Sequence, residues 1–575
     1  MRKKIILILS IIVLIAAGGY IYIRYHFLNS KDFKPDTSKE KNIIDLRPSV
    51  IAKLQQLVKD GSKGLYKLSV GAIDPGALSS TLDVVNAGIT VDTAVMVQLD
   101  YLKELPDDIV TIHFDSLHIN GIGIADLLNT SHIDIKNISI NRPLIKVYHK
   151  SRVYNDARRK QQDSLSLYKR IKEYVNRISI DNIIVTNGTF INTELEHKKT
   201  VNRFNDITIS INDLLVDSST QFDTNRFLFA KHATIEAKNY IVPTADSLYY
   251  FKTGSISLSA EQHTIHLLNV ELSPRGNRKQ FESKLQYRTN MYHIVLPEVT
   301  LYNTDWQALM NHEKFIMKKA LVPEGTFSIY FDKTLPKPPI EYNNFPQQLL
   351  MKVDIPVSVN ELSMQHINVA FEEYNPDARA SGVAFFDFVK SRFTNVSNIP
   401  SEINKRPIAT FTGSGLFMHH IPFNAHLTFN LAKYKTGEFT ADIHMDTLDN
   451  ATINPLAEPL GLFSVKSGQM QQGTAHMKGT DSGSNASIAL SYRDLHIKPL
   501  KKANESGELK KQHIRGFIAN VFLVKNANPL RGNDLRQPSY SVPRDHHMNF
   551  FSLVWVTVLT GILKTIGIPV NLVIH

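Results

Sequence analysis

Alternation of apolar and polar residues recurs along this chain, in Val110-Ile112-Phe114, Ile207-Ile209-Ile211, Phe327-Ile329-Phe331, Val353-Ile355-Val357-Val359 and Ala425-Leu427-Phe429-Leu431. β-Branched and aromatic residues dominate these runs, and Asn, Asp, Gly and Pro separate them, so they predict strands. Successive strand side chains point to opposite faces, so alternation predicts antiparallel sheet with one dry and one wet face. A second pattern lies over the first: apolar, two polar residues, apolar, any residue, apolar. It occurs as Phe114-Asp115-Ser116-Leu117-His118-Ile119, Ile135-Lys136-Asn137-Ile138-Ser139-Ile140 and Ile180-Asp181-Asn182-Ile183-Ile184-Val185. It returns as Phe204-Asn205-Asp206-Ile207-Thr208-Ile209, Ile211-Asn212-Asp213-Leu214-Leu215-Val216, Val359-Asn360-Glu361-Leu362-Ser363-Met364 and Tyr492-Arg493-Asp494-Leu495-His496-Ile497. A two-residue polar insert shifts the apolar set by one position, and a bulge or tight bend there returns it to the same face. Many strands bent alike predict a mainly β fold, a long curved antiparallel β-sheet groove with a few helices. Candidate groove residues are Ile135, Ile138, Ile140, Ile207 and Ile209. The irregular spacing excludes a propeller or a strict solenoid.

Helical spacing is confined to a few places. Leu46, Val50, Ile51, Leu54, Leu57 and Val58 share one face around Pro48 and predict a helix near 46–58. Leu167, Ile171, Tyr174, Val175 and Ile178 predict another near 160–178, and Trp306, Leu309 and Met310 a short one. Phe551, Val554, Trp555, Val558, Leu559, Ile562, Leu563 and Ile566 predict an amphipathic helix within 550–575, ended by Gly567 and Pro569. Its apolar run before Lys564 is too short to span a bilayer. Two uses fit it: an interfacial helix presenting Val554, Trp555 and Val558 to a membrane or membrane partner, or a plug that hides the end of the sheet.

The N-terminus predicts an anchor. Met1-Arg2-Lys3-Lys4 reads as a cytoplasmic tip (1–4), and an apolar run fills 5–23. A helix of that length rises roughly 28 Å, close to the ~30 Å hydrocarbon core. Ile5, Leu9, Ile12, Ile15 and Ile23 would face lipid, and Tyr20 the headgroup layer. The basic start sends the bulk of the chain across the membrane. A cleaved signal peptide is the rival reading, with Ala16-Ala17-Gly18-Gly19 as its small residues. A polar linker occupies 24–42 and an N-terminal β region 43–334. The Pro-rich break Leu335-Pro336-Lys337-Pro338-Pro339 opens 335–345, followed by a C-terminal β region 346–500 and a connecting segment 501–549.

Composition narrows the chemistry. The chain has 575 residues and no cysteine, which excludes disulfide scaffolds, thiolate metal sites and thiol catalysis. Lys and Arg number 65 against 54 Asp and Glu, a net charge of +11. The basic residues are scattered, which fits anionic membrane phospholipid better than nucleic acid. No phosphate-binding loop and no nucleophile elbow occurs. Gly121-Ile122-Gly123 lacks the third glycine of a dinucleotide motif. His419-His420 and Asp545-His546-His547 are weak metal candidates, since neighbours on a strand diverge. Glu372-Glu373 fits a solvated strand end better than half of a glycosidase pair. The expectation is therefore no enzyme, no metal and no cofactor.

Ile122-Ala125-Leu127-Leu128 leading into Ile133-Ile135-Ile138-Ile140-Asn141-Arg142-Pro143, then Gly468-Gln469-Met470 to Gly479 with Ser491-Tyr492-Arg493-Asp494-Leu495, resemble the AsmA-like family of bacterial envelope proteins. That family includes TamB-type proteins and is related to bridge-like lipid-transfer proteins. The resemblance implies a periplasmic β-groove held by a single pass in the bacterial inner membrane. It also implies binding or conducting of phospholipid in outer-membrane lipid homeostasis or assembly, with an envelope protein as a further candidate partner. The alternative expectation is a structural scaffold with a closed β-body that binds a protein partner. A third reading is an envelope hydrolase on a sugar-binding β-fold.

Overall fold

The computed structural model describes residues 51–76, 81–121, 132–155, 176–195, 199–220, 223–500 and 524–570, apart from short breaks in the first and sixth ranges. The predicted anchor 5–23 with Ile5, Leu9, Ile12, Ile15, Tyr20 and Ile23, the linker, and most of the helix expected near 160–178 lie outside these residues; the expectation is corrected at Ile178, which is buried in a strand. Among the described residues no helix is long and apolar enough to cross a membrane. The described residues form a mainly β fold, with 22 strands, few helices and mostly antiparallel pairing. Two compact units divide the chain. One comprises residues up to Pro243 with Lys252–Leu267 and Asp305–Glu313; the other comprises Thr244–Phe251, Leu268–Thr304 and Lys314 onward.

In the first unit, β1 (Tyr66–Gly76) and β2 (Thr81–Val91) form an antiparallel pair. The helix Thr93–Tyr101 follows, and the Asp92 carboxylate caps it by accepting from the Ala94 and Val95 N–H groups. β3 (Asp108–Asn120) pairs with β2 and then, in one continuous register, with β4 (His132–Asn141) and β5 (Leu144–His149). β4 and β5 are thus one strand interrupted at Arg142-Pro143, where proline lacks the N–H a ladder needs. β6 (Arg177–Glu194) runs parallel to both, and β7 (Lys199–Val216) and β8 (Ala230–Pro243) continue antiparallel. β9 (Tyr249–Ser259) and β10 (Thr264–Pro274) each contribute residues to both units.

The second unit repeats this order. β11 (Met291–Tyr302) pairs antiparallel with β12 (Phe315–Val322) and β13 (Gly325–Asp332), again one register broken at a proline, Pro323. β14 (Val357–Asn375) runs parallel to both halves, and β15 (Ala380–Ser397) returns antiparallel. The expectation of antiparallel sheet throughout is corrected at these two places. Crossovers through 150–176 and 333–356 are long enough to bring the chain back in the same direction. The Pro-rich stretch 335–345 belongs to the second crossover and carries no strand. It is pinned where His547 Nδ1 lies 2.8 Å from the Pro338 carbonyl and Arg544 donates to Asn344 Oδ1 at 2.6 Å. Antiparallel strands β16 (Ile408–Phe417), β17 (Ile421–Asn430), β18 (Phe439–Met445), β19 (Leu448–Asp449), β20 (Phe463–Thr480), β21 (Gly483–Pro499) and β22 (Ser539–Pro543) complete the unit, with a helix Phe550–Ile566.

In four of its seven occurrences the bent phrase buries its whole apolar set, and in the other three part or all of that set is half-buried. Phe114, Leu117 and Ile119 are all buried, as are Ile135, Ile138 and Ile140, Ile180, Ile183 and Val185, and Ile211, Leu214 and Val216. In these four the two-residue insert therefore resets the alternation without turning the apolar set to solvent. Asp206, Asp213 and Asp494, at the second insert position, take φ of 48°, 52° and 53°, a region Asp tolerates better than most residues. The inserts of β4, β6 and β7 align in register, so Asn137, Asn182 and Asn212 stack as a ladder. Asn182 Nδ2 donates to Asn137 Oδ1 at 2.9 Å, and Asn212 Nδ2 donates to Asn182 Oδ1 at 2.6 Å.

Candidate functional site

The sequence-predicted residues separate into three environments. Ile135, Ile138 and Ile140 are buried in the first unit, with Ile138 at 1% exposure. Ile207 and Ile209 on β7 are half-buried. In the C-terminal helix Val554 and Val558 are half-buried against the core, and Trp555 is 41% exposed.

That helix is apolar on nearly every side because two environments claim it. Phe550 and Leu553 enter a cluster with Phe429, Phe439, Ala441, Met477, Ile488 and Tyr540. Leu563 and Ile566 enter another with Phe417, Ile421, Phe423, Met470 and Tyr492. The helix therefore covers the apolar face of β16 to β22. Two polar contacts on Thr557 fix its rotation, and a third sits beside its end. Tyr540 Oη donates to the Thr557 carbonyl at 2.8 Å, Ser484 Oγ and Thr557 Oγ1 are 2.6 Å apart, and Tyr492 Oη donates to the Lys525 carbonyl at 2.9 Å beside the helix end. Burial pushes the Tyr540 phenol up to about 12. Gly561 sits directly against this tyrosine, where a Cβ would meet Tyr540 Oη at 2.2 Å. Phe551, at 71% exposure, and Trp555 lie one turn apart on the uncovered side.

Away from that helix, the same face of the second unit is only partly covered: a short helix, Asn454–Gly461, packs Leu456 and Leu460 over its β15 edge. Cross-strand register places Ile294, Phe327, Val369 and Phe386 side by side on β11, β13, β14 and β15. All four are half-buried. The row continues onto buried Phe417 and Ile421 of β16 and β17. A neighbouring row holds Tyr292, Ile329, Phe371 and Ala384. Phe386 packs against Phe417 and Phe423 with ring centroids 5.0 and 5.8 Å away. The stripe thus runs from a partly wet apolar surface into a dry core.

The reverse face of these strands is polar. Arg278 grips the Glu372 carboxylate with both Nη atoms and lies 4.0 Å over the Tyr330 ring. Burial raises the Glu372 pKa, but hydrogen bonds from Arg278 and Ser381 outweigh it and hold the carboxyl below its usual range. Glu372 is accordingly one half of a structural ion pair. The strand assumed for His419-His420 is corrected: Met418 and His419 take φ of 50° and 65° in the turn between β16 and β17. His419 Nδ1 lies 2.6 Å from Asp387 Oδ2, and its ring packs on Phe385. Among the described residues no group of three or more His, Asp or Glu is arranged to hold a metal ion.

Sequence reading named Phe327 and Ile329 as strand residues but missed Val369, Phe371 and Phe386 as their lateral neighbours. Residues 383–388 read Val-Ala-Phe-Phe-Asp-Phe, which hides the alternation. The missing signal was the parallel register, which a sequence does not display.

No protein-family model and no curated protein matches this chain.

Proposed function

We propose that this chain is a membrane-tethered lipid-handling protein of the AsmA-like type. It would be held in a bacterial inner membrane by residues 5–23, with its bulk in the periplasm, and would bind or conduct phospholipid in outer-membrane homeostasis. One observation carries the reading: the row Ile294, Phe327, Val369 and Phe386, apolar, cross-strand and half-exposed. Exposed apolar surface of this kind is costly in water, and an acyl chain laid on it removes roughly 0.8 kcal/mol of hydration cost per CH₂. The stripe has no polar side chain within it to fix a headgroup, which suits a tail held loosely along its length. The basic excess of the chain favours anionic headgroups.

The test is mass spectrometry of lipid retained by the full chain purified in mild detergent. Wild type should carry phospholipid, and Val369→Arg should carry several-fold less, because a guanidinium in the stripe would need a partner the tail cannot supply. A photoreactive phenylalanine analogue at Phe327 should crosslink to acyl chain. Wild type free of phospholipid, with no crosslink to lipid, would remove the proposal. The buried apolar face of the first unit favours a second reading, a scaffold whose β-body is filled and whose partner is a protein; under it the crosslink would be to protein.

A further inference from the structure

A separate feature lies on the polar face of the second unit. A groove of about 590 Å³ crosses β14, β15, β16, β17, β18 and β20 at a single register level. Its walls are two rows of outward side chains. One row includes Arg392, Thr412, His426 and His476; the other includes Lys390, Ser414, Asn424 and His444. The floor is the backbone of the residues between them, notably Gly413 and Ala425. On the core side, the rings of Phe388 and Phe411 fill the space over Gly413, where a Cβ would meet them at 2.9 and 2.8 Å. The groove therefore opens away from the apolar stripe. A register shift between Phe388 and Lys390 swings Lys390 to this side and leaves Val389 half-exposed beside it.

Three properties select a ligand. Six strands at about 4.8 Å spacing give a trench roughly 24 Å long, which fits an extended chain and not a compact metabolite. The walls are dense in hydroxyl, amide and imidazole groups, which suit a ligand rich in hydroxyls. The cations are Lys390 and Arg392, while the one carboxylate on the walls, Asp442, is engaged by His476 Nδ1 at 2.7 Å. Arg392 also lies 3.7 Å from Glu361 outside the groove, an exposed pair of the kind that yields to a better-placed anion. No Phe, Tyr or Trp lines the trench, so the stacking platforms used for single-stranded nucleic acid are missing. We propose that this trench binds an extended acidic saccharide, with carboxylates at Lys390 and Arg392 and hydroxyls along the histidine, asparagine and threonine positions. The site is independent of the lipid reading and occupies the opposite face of the sheet.

The test is calorimetric titration of the full chain in detergent with tetragalacturonate. Neutral maltotetraose, short polyphosphate and an oligothymidylate are the comparison probes. Wild type should bind the acidic saccharide with measurable heat and the other three at least tenfold more weakly. K390A/R392A should weaken binding roughly 100-fold, about tenfold for each charge-assisted hydrogen bond. His426→Ala should weaken it less, and Lys238→Ala in the first unit should leave it unchanged. All of these residues are surface positions, and circular dichroism checks that each variant keeps its strands. No binding by wild type, equal binding of any comparison probe, or full binding by the folded double variant overturns the proposal.

Discussion

The two units are built to one plan and finished differently. Each has a long strand, a proline-interrupted antiparallel neighbour, a crossover, a parallel strand and a hairpin return. In the first unit the apolar face is dry, with Ile119, Ile138 and Ile180 at 0%, 1% and 1% exposure. In the second, the equivalent strands bury Val322, Ile367 and Ala384 but keep Phe327 and Val369 half-exposed, and the large buried clusters form where the C-terminal helix lies on the later strands. The difference teaches that strand order alone does not decide whether an apolar face is a core or a surface; what covers it does. The first unit also locks its bends with an asparagine ladder. The matching insert of β14, Asn360-Glu361, places Glu361 opposite Thr394 and within reach of Lys319 and Arg392.

The largest test of this contrast is truncation in each core. Ile138→Ala and Leu553→Ala should each cost about 2–5 kcal/mol, since both side chains are buried and leave cavities. The chain's two tryptophans allow the units to be read apart, because Trp306 belongs to the first and Trp555 to the second. In urea unfolding of single-tryptophan variants, Ile138→Ala should shift the Trp306 transition and Leu553→Ala the Trp555 transition. Equal shifts of both probes by either variant would dissolve the division.

Gly561→Val should come next, at about 1–3 kcal/mol, because the helix must back away from Tyr540 and Ile488. It should move the Trp555 transition and increase the exposure of Phe417 and Ile421, read as faster hydrogen exchange in β16 and β17. Asn182→Ala should cost about 1 kcal/mol, since it leaves Asn137 Oδ1 and Asn212 Nδ2 to bond water on a partly exposed ladder. Its effect should be confined to the Trp306 transition.

The last effect appears only in alkali. The Tyr540 phenol is raised from 10.0 to about 12 chiefly by burial. Its neutral form therefore stabilises the fold fully below pH 10, and that contribution is lost as pH rises through about 12. Tyr540→Phe should be less stable than wild type by a constant amount up to pH 10, and the gap should close above it. A gap that stays flat to pH 12 would show that the helix does not bury this phenol.

Much of the strand content was legible, because period-two alternation depends only on which side of a strand is wet. The bent phrase was legible for the same reason, and the burial of Leu117, Ile138, Ile183 and Leu214 follows from it. The parallel returns at β6 and β14 were not, since direction depends on where a long crossover lands. The C-terminal helix shows the boundary well. Its spacing announced a helix ended by Gly567, which takes φ of 86°, but interfacial and plugging roles have the same local pattern. Only the surrounding aromatic rings of Phe345, Phe429 and Phe439 show what Phe550 is packed against. The polar trench was invisible for a related reason: its walls come from positions far apart in the chain that share nothing but register.

By itself, then, the sequence determined the local quantities: where the backbone extends, where it bends, and which side chains avoid water. The tertiary structure decided which apolar face is covered. Burial is a property of what packs on a strand, and the covering element here begins 142 residues along the chain from the start of the first strand it covers, Ile408 to Phe550.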